Sequence, residues 1–240
     1  MSRPVLIFDI WGDYAHYKKI YATTSAVSYA LPPKTSLYGY IGAILGLPKA
    51  DNAYLSAFAN KQCRLGISVL NPVVMHRLGT NLRPNLNRFV DNLKPTLMEY
   101  VYRPRYRIYV SHKDSYFYDE LRNALQTHQC RFTPTLGLAN LLSNFVWVDE
   151  VEADTIQPTK AVPIHSVIPR KYLVDLDVNA LQNGTYELIE ESLYAVEMNK
   201  EREVTERDDI LFNRKGEEGD PLLALVTEYY VINGKNVILF

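Results

Sequence analysis

FDIWGDYAHYKKIYATTSAVSYALPPKTSLYGYIGAILG, residues 8–46, reads as a strand, then a basic and aromatic loop, then a helix opened by paired prolines. Pro32 and Pro33 suit a first helical turn, where no amide hydrogen is needed. Leu37, Tyr40, Ile41, Ile44 and Leu45 then recur at helical spacing before Gly46. Between strand and helix lie His16, Lys18, Lys19, Thr23, Thr24, Ser25 and Ser28, with Tyr14, Tyr17, Tyr21 and Tyr29 interleaved; Lys34, Thr35 and Ser36 open the helix. Cations and hydroxyls suit phosphates, and tyrosine rings suit bases. The segment is therefore expected to bind a single-stranded nucleic acid, with phosphate at the helix N-terminus, where unpaired amides and the dipole favour anions.

Outward from this stretch, residues 5–10 form the first strand and residues 64–70 (RLGISVL) the next, completing one βαβ unit. A polar excursion spans 71–94, with His76, Arg77, Arg83 and Arg88 and the prolines Pro72 and Pro84. Connections of that length are usually functional or mobile. Strands are expected at 96–102 and 106–110, a helix at 115–126 with Ser115 as N-cap, and a strand at 145–151. The predicted fold class is α+β: a ferredoxin-like domain of the RNA-recognition-motif kind over 1–152, carrying a long basic insertion at about 71–95. The remainder, 153–240, is predicted to be a β-rich addition, with strands at 170–174, 186–196 and 222–232 and hairpin signals at Asn183-Gly184 and Asn233-Gly234.

With 240 residues, 47% hydrophobic and 22% charged, the chain has enough apolar content for a substantial core. No run approaches the roughly 20 apolar residues of a membrane span, and MSRPVLIFDIWGDY lacks the features of a signal peptide, so a cytoplasmic protein is expected. Cys63 and Cys130 are too few for a disulfide framework. His128 with Cys130 falls short of a zinc site, and Asp9, Asp13, Asp114 and Asp119 form no two-metal set; neither metal nor cofactor is expected. The net charge is −1, yet 6 lysines and arginines face 3 acids over residues 1–63, 11 face 5 over 64–131, and 8 face 18 over 149–220. Such a split fits a phosphate-binding lobe beside one that avoids RNA, although the acidic part alone reads equally as a solvated face.

Arg77, Arg83, Arg88, Arg103, Arg105 and Arg107 crowd into one region with Tyr100, Tyr102, Tyr106 and Tyr109. Guanidinium groups bind phosphates bidentately and stack on bases. On a strand, Arg103, Arg105 and Arg107 would share a face, with Pro104 at an edge or interruption. A solvated strand face is the alternative.

Gly12, the polar loop to Tyr29, Pro32-Pro33 and the glycines Gly39, Gly42 and Gly46 together resemble the amino-terminal signature of the Cas-five family of CRISPR-associated proteins, with closest wording to its type I-B branch. RIYV at 107–110 and FTPTLGL at 132–138 add to the resemblance, which covers roughly the first 150 residues. It implies a non-catalytic subunit of a type I CRISPR surveillance complex (Cascade), capping the 5′ handle of the guide RNA and touching the backbone subunit, the large subunit and, through the complex, target DNA. It also implies that the insertion is a thumb folded over the guide. Type I-C relatives instead cut repeat RNA without metal, and Tyr38 or Tyr40 with His112 and Lys113 have the residue types for that chemistry. A metal-independent endoribonuclease is therefore the second reading, and an RNA-recognition-like module of another ribonucleoprotein the third.

Overall fold

The computed structural model describes residues 2–21, 26–58, 61–82, 93–183 and 186–240. Strand β1 (Ser2–Gly12) is buried on both faces, which is why residues 5–8 are uniformly apolar: Leu6, Phe8 and Ile10 enter the main core, while Val5 and Ile7 enter a smaller one. Short strands β2 (Tyr14–Ala15), β3 (Tyr17–Lys18) and β4 (Ser28–Tyr29) precede helix α1 (Lys34–Leu45). Pro33 caps α1 from an extended backbone, and Gly46 ends it at a φ of 73°, letting the Gly46 and Leu47 amides donate to the carbonyls of Ala43 and Gly42. A 3-10 segment, Ala50–Ala57, comes before β5 (Cys63–Val69).

β6 (Val74–Leu82) and β7 (Lys94–Tyr102) form an arm, paired from Val74 opposite Tyr102 to Leu82 opposite Lys94. Much of the expected excursion is thus a strand. Neither face of β6 is deeply buried, so its residues carry no alternating apolar pattern. β8 (Arg105–His112) and α2 (Ser115–Gln126) follow. Asp114, not Ser115, caps α2: its carboxylate accepts from the amides of Tyr116 at 2.9 Å and Phe117 at 3.4 Å, and Ser115 is already helical. β9 (Ser143–Ile156) closes this part, so the division expected at 152 and 153 falls within a strand.

Beyond it come β10 (Val162–Ile164), β11 (Ile168–Pro169), β12 (Leu173–Leu176), α3 (Val178–Asn183), β13 (Leu188–Met198), β14 (Val204–Asn213), β15 (Leu222–Val226), β16 (Tyr229–Ile232) and β17 (Lys235–Val237). Three expectations need correction. Residues 170–172 make a 3-10 turn after Pro169, so the strand begins only at Leu173. The apolar stretch 222–232 is two strands in different sheets, broken where the Thr227 amide donates to the carbonyl of Tyr172. Asn183 ends a helix capped by Asp177 rather than a strand of a hairpin, and Gly184 lies outside the described residues. Asn233-Gly234 does join β16 to β17, both residues taking the positive φ (48° and 75°) that a two-residue hairpin requires.

The molecule is a mixed α/β fold, rich in strand and poor in helix. Its largest sheet is antiparallel, in the order β17-β16-β9-β1-β8-β5. α1 joins β1 to β5 and α2 joins β8 to β9, each linking two parallel strands with one antiparallel strand between them. Both helices contribute to the core of Leu6, Phe8 and Ile10, as do Tyr194, Val196, Ile210 and Phe212 from β13 and β14. On the opposite face, Val5, Ile7 and Tyr109 are covered by Tyr230, Ile232, Val237 and Leu239.

After β17 the chain reaches the far edge of the sheet: Leu65 and Phe240 exchange two backbone hydrogen bonds, at 3.0 and 2.9 Å. The sheet therefore curls back on itself and that edge of β5 is covered. Gly66 permits the approach, since a Cβ there would lie 2.9 Å from the Ile238 carbonyl oxygen and from Leu239. Gly66→Ala is expected to lower stability by about 1–3 kcal/mol through overpacking, read as a lower urea midpoint; an unchanged midpoint would mean the closure is loose.

Candidate nucleic-acid interface

The chain from β1 into β2 runs against the chain from β8 back into β7 as one bent ribbon. Asp9 faces Arg107, Trp11 faces Arg105, and Tyr14 faces Tyr102. The bend sits at Arg103, whose backbone is left-handed (φ 46°) and whose amide donates to the Asp13 carbonyl at 2.8 Å. Pro104, read from the sequence as an interruption, lies at this bend, so Arg103 leaves the strand that holds Arg105 and Arg107.

On the arm side of the bend, rings gather. Tyr14 lies 5.5 Å from Tyr102, 5.8 Å from Tyr100 and 6.1 Å from His76, and His76 stacks on Tyr102 at 4.3 Å. Cross-strand pairing explains the grouping, because Val74 and His76 oppose Tyr102 and Tyr100 on the same face. The exposed Arg103 guanidinium stands 5.2 Å over the Tyr102 ring. Tyr14, His76 and Tyr102 are half-buried, so ring edges and faces reach solvent beside the exposed Arg103 cation, a combination that can stack a base and hold a phosphate. Arg77 lies on the other face of the arm, with Nε 3.3 Å from Glu99 Oε2.

On the other side of the bend, the nearly buried Asp9 carboxylate takes Arg107 bidentately, Nε at 2.7 Å and Nη2 at 3.1 Å, and Arg105 Nη2 at 3.3 Å. Hydrogen bonding to Asp9 raises the pKa of Arg107 above its ordinary value, against burial. Arg105 stands 5.8 Å over the Trp11 ring.

The loop expected to grip phosphates behaves differently. His16 is buried and its Nδ1 donates to the Glu99 carbonyl at 2.7 Å. Lys19 is paired with Glu191; burial disfavours its ammonium, but the bond and charge of Glu191 outweigh this and raise its pKa. Lys34 is buried, its Nζ 2.9 Å from Glu197. Glu191 also accepts the Ala30 amide at 3.1 Å, and the hydroxyls of Tyr194 and Tyr29 donate to carbonyls of Pro32 and of Ser192 and Leu193. Strand β13 thus packs on the start of α1, and its carboxylates neutralise Lys19 and Lys34, two of the cations expected to meet phosphate there. Among the expected ligands of this loop, Lys18 is exposed and Thr35 and Ser36 are half-buried. Thr23, Thr24, Arg83 and Arg88 lie outside the described residues.

Of the residues of the acid-base alternative, Tyr38, Tyr40 and His112 are each held in contacts within the fold. The Tyr38 hydroxyl is 3.1 Å from both Glu197 oxygens, and burial together with that carboxylate holds it far above the usual phenol range. Tyr40 is raised by burial, against its 2.9 Å bond to Ser143. His112 Nδ1 accepts the Asp114 amide at 3.1 Å, so Nε2 carries the proton and donates to Ala57 at 2.7 Å. Phe58 stands between Tyr38, stacked on it at 4.4 Å, and His112. Lys113 is exposed. Among the described residues no group of three His, Cys, Asp or Glu could hold a metal ion, and no helix is long and apolar enough to cross a membrane.

Trp11 and the His76–Tyr102 stack were not singled out from the sequence. The signal was there in the alternation of Tyr100 with Tyr102 and of Arg105 with Arg107, but the partner strands come from distant residues.

A family model described as CRISPR-associated protein (Cas_Cas5) matches residues 5–208. Among solved structures, a CRISPR protein from Archaeoglobus fulgidus is similar over 98% of each chain, at 13% identity and a TM-score of 0.54. The crystal structure of a Cas protein is similar over 92% of this chain and 95% of that one, at 12% identity and a TM-score of 0.50. These likenesses are of fold. No curated protein matches the chain in sequence.

Proposed function

The chain belongs to the CRISPR-associated Cas5 family, and on that premise we propose that it is a non-catalytic subunit of a type I CRISPR surveillance complex that binds the 5′ handle of the guide RNA. The carrying observation is the ribbon of Tyr14, His76, Tyr102 and Arg103, which combines ring faces with an exposed guanidinium at its bend. The sheet supports the ferredoxin-like reading: β9-β1-β8-β5, with its two linking helices, has the strand order and connections of that arrangement. In this reading the β6–β7 arm is the thumb, the backbone and large subunits are the protein partners, target DNA is met through the complex, and the type I-B branch is the closest. Binding is favoured over RNA cleavage because Tyr38, Tyr40 and His112 are each held in contacts within the fold.

Co-expression with a tagged backbone subunit and a repeat-containing transcript, followed by sequencing of the bound RNA, tests this. Guides with a uniform repeat-derived 5′ end are expected to co-purify, and the subunit alone, incubated with repeat RNA in a chelator, should leave it intact. Single-site, chelator-resistant cutting lost in His112→Ala would favour the endoribonuclease; absence of RNA from the assembly would remove the binding role.

A further inference from the structure

The second face of the main sheet changes character along β1. At Val5 and Ile7 it is apolar and covered by the β16–β17 hairpin, but from Asp9 onward it turns polar. There Trp11 is half-buried, Arg105 is 47% exposed, and Asn144 and Val146, which oppose Trp11 and Asp9 on β9, are exposed. Asp9 itself is only 2% exposed. Burying a carboxylate is costly, and well-packed apolar residues often replace such ion pairs without loss of stability. Two guanidinium groups meet the one Asp9 carboxylate, and the charge of Glu217 also acts on Arg107. A buried acid that holds two arginines, set beside a half-buried indole, is the kind of departure from core patterning expected at a binding site.

We propose that Trp11, Arg105 and Arg107 form a second subsite, for one nucleotide of single-stranded RNA, on this uncovered half of the sheet, with Asp9 as the residue that positions both arginines. It rests on the reading of the chain as an RNA binder. Arg107, gripped bidentately, is fixed. Among the described residues the Arg105 side chain makes one hydrogen bond, at 3.3 Å, so it can swing from the Trp11 ring to a phosphate and leave the indole face to a base. Trp11 is three residues from Tyr14, and Arg105 three from Tyr102, about 10 Å along the ribbon.

The test uses the purified full-length chain and a fluorescein-labelled mixed-sequence RNA 12-mer, with anisotropy titrations at several salt concentrations. Trp11→Ala is expected to weaken binding about 5- to 150-fold, the value of one stacked base, with little change in salt dependence. Arg105→Ala should weaken it and reduce the salt slope by about 0.7. Asp9→Asn separates positioning from simple charge: it removes a negative charge from the site yet is expected to weaken binding, because the guanidinium groups lose their orientation. Tighter binding with a steeper salt slope would overturn the role of Asp9. Should Asp9→Asn fail to fold, Arg105→Lys keeps the charge but loses the planar group, and wild-type affinity there would count against the subsite. If Trp11→Ala and Arg105→Ala bind as wild type while Tyr102→Ala does not, the subsite is wrong and RNA binding stands; if the wild-type chain binds no RNA, the functional reading fails with it. Loss of complex assembly with unchanged RNA affinity would make this face a protein contact and overturn the subsite.

Discussion

Replacing Glu197 by alanine is expected to destabilise the chain by about 3–5 kcal/mol, the cost of leaving a buried charge without its partner. The Lys34 side chain is 3% exposed, and its ammonium meets Glu197 at 2.9 Å and the rings of Tyr38 and Phe240 at 5.8 and 5.7 Å. Without the carboxylate the ammonium stays in the core, and the Tyr38 hydroxyl loses its acceptor as well. The double variant Lys34→Met with Glu197→Leu should recover most of the loss, since apolar groups of similar volume often substitute for a buried pair at little cost. Urea unfolding followed by circular dichroism provides the comparison. A near-wild-type midpoint for Glu197→Ala would show that Lys34 escapes to solvent, and would return it to the set of candidate phosphate ligands. With the expected result, any weakened RNA binding in Lys34→Ala has to be read as a stability effect.

The contrast between Lys18 and Lys34 shows what the sequence could and could not convey. Both sit among hydroxyls and tyrosines, and composition treats them alike, yet one is exposed and the other meets a carboxylate 163 residues away. Local reading succeeds where the cause is local. The Gly46 end of α1, the buried face of Leu37, Ile41 and Ile44, and the hairpin at Asn233-Gly234 each follow from backbone geometry or helical spacing within a few residues, whereas Pro32 and Pro33, expected in the first helical turn, lie just before it. It fails where strands choose distant partners. β6 carries no alternating pattern because its arm has no deeply buried face, and the apolar run 222–232 conceals a change of sheet at Thr227. The same limit applies to the candidate site. Tyr102 and Arg103 were legible as a tyrosine beside an arginine, but the stack with His76 and the pairing with Tyr14 arise from register between three strands.

That register makes Tyr102 the position where RNA binding should be most sensitive. Tyr102→Ala removes the partner of His76, of Tyr14 and of the Arg103 guanidinium together. Affinity for a single-stranded repeat RNA is expected to fall about 5- to 150-fold, since a stacked base is worth about 1–3 kcal/mol. Because a ring carries no charge, the slope of affinity against salt should hardly change, whereas Arg103→Ala should lower it by about 0.7 for one lost phosphate contact. Tyr102→Phe keeps the ring and should bind nearly as wild type, which separates stacking from any bond of the hydroxyl. His112→Ala gives the contrasting control: it breaks the bond to Ala57 and the stack on Phe117, so the urea midpoint should drop while RNA affinity holds. Electrophoretic mobility shifts at two salt concentrations separate these cases. Wild-type affinity in folded Tyr102→Ala would move the RNA path off the arm, and an equal loss in Tyr102→Ala and His112→Ala would show that binding merely follows stability.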